Sequence, residues 1–154
     1  MTQRLFDTTF LVAAPFWALM ILAPRWRRTR AIVASPLICL PPLLIYAALV
    51  LPAFADFSAA LANPTLPALQ ELLSSAPGTA ATWAHFIAFD LFLGRWIFFD
   101  SRDRRINPMV ISGLLVFTII FAPLGVLIYL LIRFIRKPPP ESGTSPLPEA
   151  RWKF

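Results

Sequence analysis

Charged residues are sparse along this chain and they cluster, so the gaps between clusters define its elements. Seventeen uncharged residues separate Asp7 from Arg25, 25 separate Arg30 from Asp56, and 27 separate Arg105 from Arg133. A further stretch, 79–99, is apolar except for His85, Asp90 and Arg95. A bilayer core about 30 Å thick takes about 20 apolar residues as helix, and lipid offers no partner to backbone groups outside one. The pattern predicts an all-α fold: a polytopic membrane protein with a bundle of four transmembrane helices over about 5–24, 31–54, 79–99 and 107–133, in a single domain covering 1–137. Between the second and third spans, Thr65-Leu-Pro-Ala-Leu-Gln-Glu-Leu-Leu73 puts Leu66, Leu69, Leu72 and Leu73 on one face. That spacing predicts a short amphipathic helix, lying at the interface or folded back as a lid. The proline-rich run beyond Lys137 predicts a disordered tail over 138–154. The first segment reads as a retained span, because Ala23-Pro24-Arg25-Trp26 is a poor cleavage site.

Composition sharpens this picture. Hydrophobic residues make up 58% of the 154 and charged residues 14%, against about 25% charged in soluble domains. A soluble enzyme, a coiled coil and a disordered chain are disfavoured together. One cysteine, Cys39, and one histidine, His85, rule out a disulfide framework and a multi-histidine metal site within one chain. No cofactor or metal is expected. The net charge of +6 sits on helix flanks, where it suits anionic lipid head groups rather than nucleic acid. Membrane lipids are the expected partners, and a homo-oligomer is allowed.

Seven arginines flank the first and third connections: Arg25, Arg27, Arg28, Arg30, Arg102, Arg104 and Arg105. With four helices crossing, the other side holds Arg4, Arg133, Arg136 and Lys137. The positive-inside rule then predicts both termini outside a bacterial cytoplasmic (inner) membrane.

Candidate chemistry lies in the third span. An ionisable side chain at the bilayer centre costs about 2.5–3.5 kcal/mol on insertion scales, so Asp90 and Arg95 must face the protein interior or a wet cavity. Five residues turn a helix by about 140°, so these two point apart and cannot pair with each other. At least one needs a partner elsewhere, which makes the third helix central. Candidates are Asp7, Thr8, Thr9, Tyr46, Ser112, Thr118 and carbonyls freed by proline: Leu11 by Pro15, Leu37 and Ile38 by Pro41 and Pro42, Ile119 by Pro123. Pro41-Pro42 is expected to kink the second helix. Asp100 caps the helix end or pairs with Arg102 or Arg104. Phe86, Phe89, Phe92, Trp96 and Phe99 form an aromatic stripe that is either lipid-facing bulk or a wall for a long planar ligand. Gly94, Gly113 and Gly125 allow close helix approach.

The run Trp83-Ala-His85-Phe-Ile-Ala-Phe-Asp90-Leu91-Phe92-Leu-Gly94-Arg95-Trp96, then Asp100, then Ala122-Pro123-Leu124-Gly125, resembles the abscisic-acid-deficient-four-like family. The first span, Leu5-Phe6-Asp7 through Ala23-Pro24-Arg25-Trp26, is similar to that family's. The resemblance implies a carotenoid or isoprenoid context, since the plant member is needed for neoxanthin formation. That reaction resembles an epoxide isomerisation by acid–base chemistry without a redox cofactor. The resemblance assigns His85 as acid or relay, Asp90 as base, and Arg95 as the group that steadies a carboxylate or an oxygen. Asp7, Phe89, Phe92, Trp96, Asp100, Pro123 and Gly125 are the supporting or substrate-binding candidates. Two other classes compete: a non-catalytic membrane scaffold or pigment-binding partner of a biosynthetic complex, and a haem or quinone binder. An enzyme predicts that His85, Asp90 and Arg95 converge on a cavity. A scaffold predicts that they satisfy one another without one.

Overall fold

Proline and capping side chains set the element boundaries. The computed structural model describes residues 1–136, and its regular elements are helical throughout. Helix α1 covers Thr2–Leu22, α2 Arg27–Ala34, α3 Leu40–Val50, α4 Phe54–Ala62, α5 Leu66–Ser74, α6 Ala76–Asp103, α7 Pro108–Ile120 and α8 Ala122–Ile135. The Thr65, Ser75 and Asn107 side chains accept bonds from the first backbone N–H groups of α5, α6 and α7, and each of these helices has a proline in its first turn. Proline fits there because that N–H has no intrahelical partner in any case. The predicted amphipathic segment is α5. The expected tail, 138–154, lies outside the described residues.

Helix α6 is central, with α1, α3, α5, α7 and α8 packed against it. Helix α1 runs parallel to it in constant register. The Phe6 and Trp83 rings are 5.6 Å apart, Trp17 lies against Gly94, and Arg102 donates to the Pro24 carbonyl. Helix α3 runs antiparallel, with Arg95 beside Val33 and Ala34 and Tyr46 beside His85. A Cβ at Gly94 would stand 2.4 Å from the Trp17 ring, so only glycine allows this approach. Gly94→Ala is expected to destabilise the protein by about 2 kcal/mol through overpacking. Trp17→Phe in the same protein should restore part of that loss in thermal unfolding in detergent.

Two expectations about the spans are corrected. The 31–54 segment is not one helix kinked at Pro41-Pro42. Helix α2 stops at Ala34, a 3-10 turn covers Pro36–Cys39, and both prolines fall in the first turn of α3. A second 3-10 turn, Leu51–Ala53, leads into α4, and Pro36–Ala62 forms a 27-residue apolar rod.

The 107–133 segment is not a single span either. It is a hairpin. Helix α7 leaves the C-terminal end of α6, the chain turns at Phe121, and α8 comes back. Tyr129 and Arg133 of α8 bond to Asp100, and Arg104 reaches the Arg133 and Arg136 carbonyls. Both ends of the hairpin therefore lie at one end of α6. Pro123 lacks the N–H that would carry α7 onward, and Gly125 seats the returning arm. A Cβ there would meet Thr118 Oγ1 at 2.2 Å. Each arm is about 20 Å long, so the hairpin tip reaches only mid-way along α6.

Two consequences follow for the charges and the surface. Thr2 and Gln3 share a cavity with Ala76 and Thr79, whereas Arg136 lies beside Arg104. The two ends of the described chain are thus at opposite ends of α6, whereas four full spans would bring them to the same end. The outer surface is apolar, with Leu44, Phe86, Phe89, Leu127, Leu131 and Phe134 all exposed. Thr2–Leu22 and Pro36–Ala62 are long and apolar enough to cross a membrane, while α7 and α8 are shorter.

Candidate functional site

Arg95 finds its partners on α2. Its Nε donates to the Val33 carbonyl at 2.8 Å and its Nη2 to that of Ala34. These carbonyls end a helix, where they have no intrahelical partner and carry the negative end of the dipole. The freed carbonyls are therefore those of the α2 terminus, not the ones named from Pro41 and Pro42. Arg95 also lies over the Phe99 ring, 5.4 Å from its centroid. Arg102 and Arg104 act alike. Arg102 caps α1 at Pro24, and Arg104 caps α8 at Arg133 and Arg136. Three arginines of one helix thus fasten the C-terminal ends of three neighbours.

Asp90 points elsewhere. It is half-buried, and no hydrogen bond or ion pair to it forms among the described residues. Its side chain borders a groove of about 540 Å³ between α6 and the hairpin tip. Trp83, Phe86 and Leu93 form one wall; Ile119, Pro123 and Val126 form the other. Asp90 is the one ionisable side chain in that lining.

His85 faces the opposite side of α6. It is exposed, stacked on Phe89 with centroids 4.5 Å apart, and 5.8 Å from the Tyr46 ring. Phe92 shares that side by helical spacing and is exposed. His85, Asp90 and Arg95 therefore do not converge. Arg95 fastens α2, His85 faces outward, and Asp90 alone meets a cavity. Of the supporting candidates, Pro123 lines the groove and Gly125 shapes the turn beside it. Asp7 is exposed and accepts a bond from Gln3 within α1. Phe89 and Phe92 lie on the His85 side.

A second polar cluster closes the C-terminal end of α6. Asp100 Oδ2 accepts from Arg104 Nε at 2.9 Å, Arg133 Nε at 3.0 Å and Tyr129 Oη at 2.5 Å. Trp96 packs edge-on against Tyr129, and Arg133 lies 6.0 Å from the Trp96 ring. Asp100 lies just past the 79–99 stretch. The pairing with Arg104 follows the sequence expectation; Tyr129 and Arg133 were not anticipated. Their spacing of four on α8, facing the same spacing of Asp100 and Arg104 on α6, is the signal that could have shown it.

The other proposed polar partners serve their own helices. Thr9 and Thr118 bond to Leu5 and Leu114 carbonyls, while the buried Ser112 hydroxyl has no hydrogen-bond partner among the described residues. No group of three His, Cys, Asp or Glu able to hold a metal ion occurs among the described residues.

Comparison with known proteins locates this arrangement. No curated protein and no solved structure matches the chain. The family described as ABA DEFICIENT 4-like matches residues 4–129, a range that holds α1 from its third residue, the whole of α6 and the turn of the hairpin. The chain belongs to the ABA DEFICIENT 4-like family.

Proposed function

We propose that this is an integral membrane protein in which α1, the 36–62 rod and α6 cross the bilayer, and the α7–α8 hairpin enters it from one side. The groove at Asp90 binds a carotenoid or related isoprenoid, and Asp90 is its acid–base group. The supporting observation is the groove itself: apolar walls, aromatic on one side, with one carboxyl among them. A large exposed apolar surface supports the lipid setting, since soluble monomers rarely carry one.

The hairpin changes the charge arithmetic. Arg25, Arg27, Arg28, Arg30, Arg102, Arg104, Arg105, Arg133 and Arg136 gather at one end; Arg4 stands with Asp7, Asp56 and Glu71 at the other. The positive-inside rule places the arginine end in the cytoplasm and the start of α1 outside. With Cys39→Ala as background, Gln3→Cys and Arg136→Cys are expected to label from opposite faces with an impermeant thiol reagent. Labelling from the same face would overturn this topology.

The family's relation to neoxanthin formation suggests an epoxide isomerisation. The Asp90 carboxyl donates its proton to the epoxide oxygen as the C–O bond opens. The carboxylate so formed takes a proton from the neighbouring carbon chain, leaving an allene and a tertiary alcohol and restoring the acid. One group serves both steps because the protons balance, and no electrons are exchanged with a partner. Arg95 takes no part in this chemistry, being held at α2, and neither does His85, on the far side of α6.

The test is the isoprenoid profile, by extraction and mass analysis, of cells with and without the gene. Deletion is expected to alter it, and His85→Ala to restore it. An unchanged profile on deletion would remove the reading.

A further inference from the structure

The hairpin stops half-way along α6, so beyond its tip the α1–α6 surface is flanked by Leu73 of α5 and not by α7 or α8. What lies there is not an isolated hollow. The Asp90 groove shares Trp83 and Phe86 with a second cavity of about 270 Å³, lined also by Phe6, Leu73, Thr79 and Thr82. That cavity in turn shares Phe6 and Thr79 with a third of about 330 Å³, which reaches Thr2, Gln3 and Ala76 at the helix ends. The α6 residues involved, Ala76, Thr79, Trp83, Phe86, Asp90 and Leu93, follow one another at three- and four-residue steps and so form one stripe.

We infer that the three cavities are one trench, which holds a rigid linear isoprenoid end-on along α6, one terminus at Asp90 and the other at Thr2 and Gln3. The inference rests on the reading of the Asp90 groove given above and adds its length and direction. From Ala76 to Asp90 a helix rises about 21 Å, most of the length of a rigid polyene with a ring at each end and far beyond a ligand confined to the Asp90 groove. The polarity of the trench matches such a molecule. Its inner part is aromatic and aliphatic with one carboxyl; its outer part carries Gln3 and threonines at the level of the head groups. Thr82 adds a hydroxyl that makes no hydrogen bond among the described residues, unlike Thr79, which donates to the Leu73 carbonyl. Trp83 and Phe86, common to the inner two cavities, form the throat. A linear molecule lying there buries its length in protein, keeps its far polar end at the surface, and meets the Asp90 carboxyl with the polar ring that reaches mid-depth.

Thr79→Trp tests this, because Thr79 lines both outer cavities and lies eleven residues, about 16 Å along the axis, from Asp90. Purified protein in detergent is titrated with zeaxanthin, as a full-length dihydroxylated polyene, and with retinol, as a one-ring ligand of about half that length. Wild type is expected to bind both. Thr79→Trp should weaken zeaxanthin at least about tenfold and leave retinol unchanged, with retinol binding also reporting that the variant is folded. Unchanged zeaxanthin binding by Thr79→Trp would overturn the trench while leaving the Asp90 groove standing. Loss of both ligands in a variant whose helical content and melting match wild type would also overturn it, since the short ligand would then depend on the outer end. Failure of wild type to bind either would remove the groove reading and the trench together.

Discussion

Asp90→Asn is expected to abolish measurable isoprenoid conversion, lowering turnover by about 100-fold or more, within the range that a positioned acid–base group contributes. Asparagine keeps the shape of the side chain and can neither give nor take the proton. The loss should fall on turnover and not on binding, because the groove walls Trp83, Phe86, Ile119 and Pro123 are untouched. Folding should not suffer. No partner is left stranded, since nothing bonds to Asp90 among the described residues, and the amide, like the protonated carboxyl that starts the reaction, carries no charge at this depth. The measurement is conversion per mole of protein in isolated membranes, alongside ligand binding and melting temperature. His85→Ala is the control. It removes a side chain on the opposite side of α6, and turnover close to wild type is expected. A His85→Ala variant as dead as Asp90→Asn would mean that both side chains reach one substrate, which this arrangement does not allow. Conversion by Asp90→Asn at the wild-type rate would remove Asp90 from the chemistry.

Asp100→Ala is expected to loosen the hairpin by about 3 kcal/mol. One carboxylate oxygen accepts from Tyr129, Arg104 and Arg133, and removing it strands a buried hydroxyl and two guanidiniums. Breaking a buried pair from one side costs about 3–5 kcal/mol; the lower end applies because the Arg133 side chain is 40% exposed. Because α8 carries Pro123 and Val126, loosening it should also open the groove and weaken ligand binding. A variant that melts like wild type and binds like it would show that the hairpin is held by its apolar contacts alone.

The Asp100 cluster and the Asp90 groove depend on each other through one element. The α8 arm is tied down at Asp100 through Tyr129 and Arg133 and forms a groove wall, Pro123 and Val126, about one to three turns away, so the position of that wall follows from the polar cluster. That is a physical reason for so many polar groups at the closed end of a hairpin whose own surface is apolar.

Much of this was open to reading in the linear pattern. The apolar stretches between charge clusters identified helices. The amphipathic leucines of α5 and the central place of α6 followed from spacing, and the inability of Asp90 and Arg95 to pair followed from a turn of 140° per five residues. What the pattern could not contain was direction in space. Twenty-seven uncharged residues are equally consistent with one spanning helix and with two short ones folded back, because hydropathy counts residues and is blind to a reversal. Pro123 and Gly125 mark the place where the chain could turn, but a proline also sits inside α1 without ending it. The turn at Phe121 is decided by Tyr129, Arg133 and the Arg136 carbonyl meeting Asp100 and Arg104, contacts between residues about thirty apart. From that reversal follow the opposed ends of the described chain, the gathering of arginines at one end, and the side of the first half of α6 that the hairpin does not reach. Composition and periodicity thus determined that the chain is helical and which helix carries the ionisable groups, since these are local properties. Tertiary packing alone decided which of those groups meets a cavity, because only the placement of neighbouring helices separates a filled side of α6 from an open one.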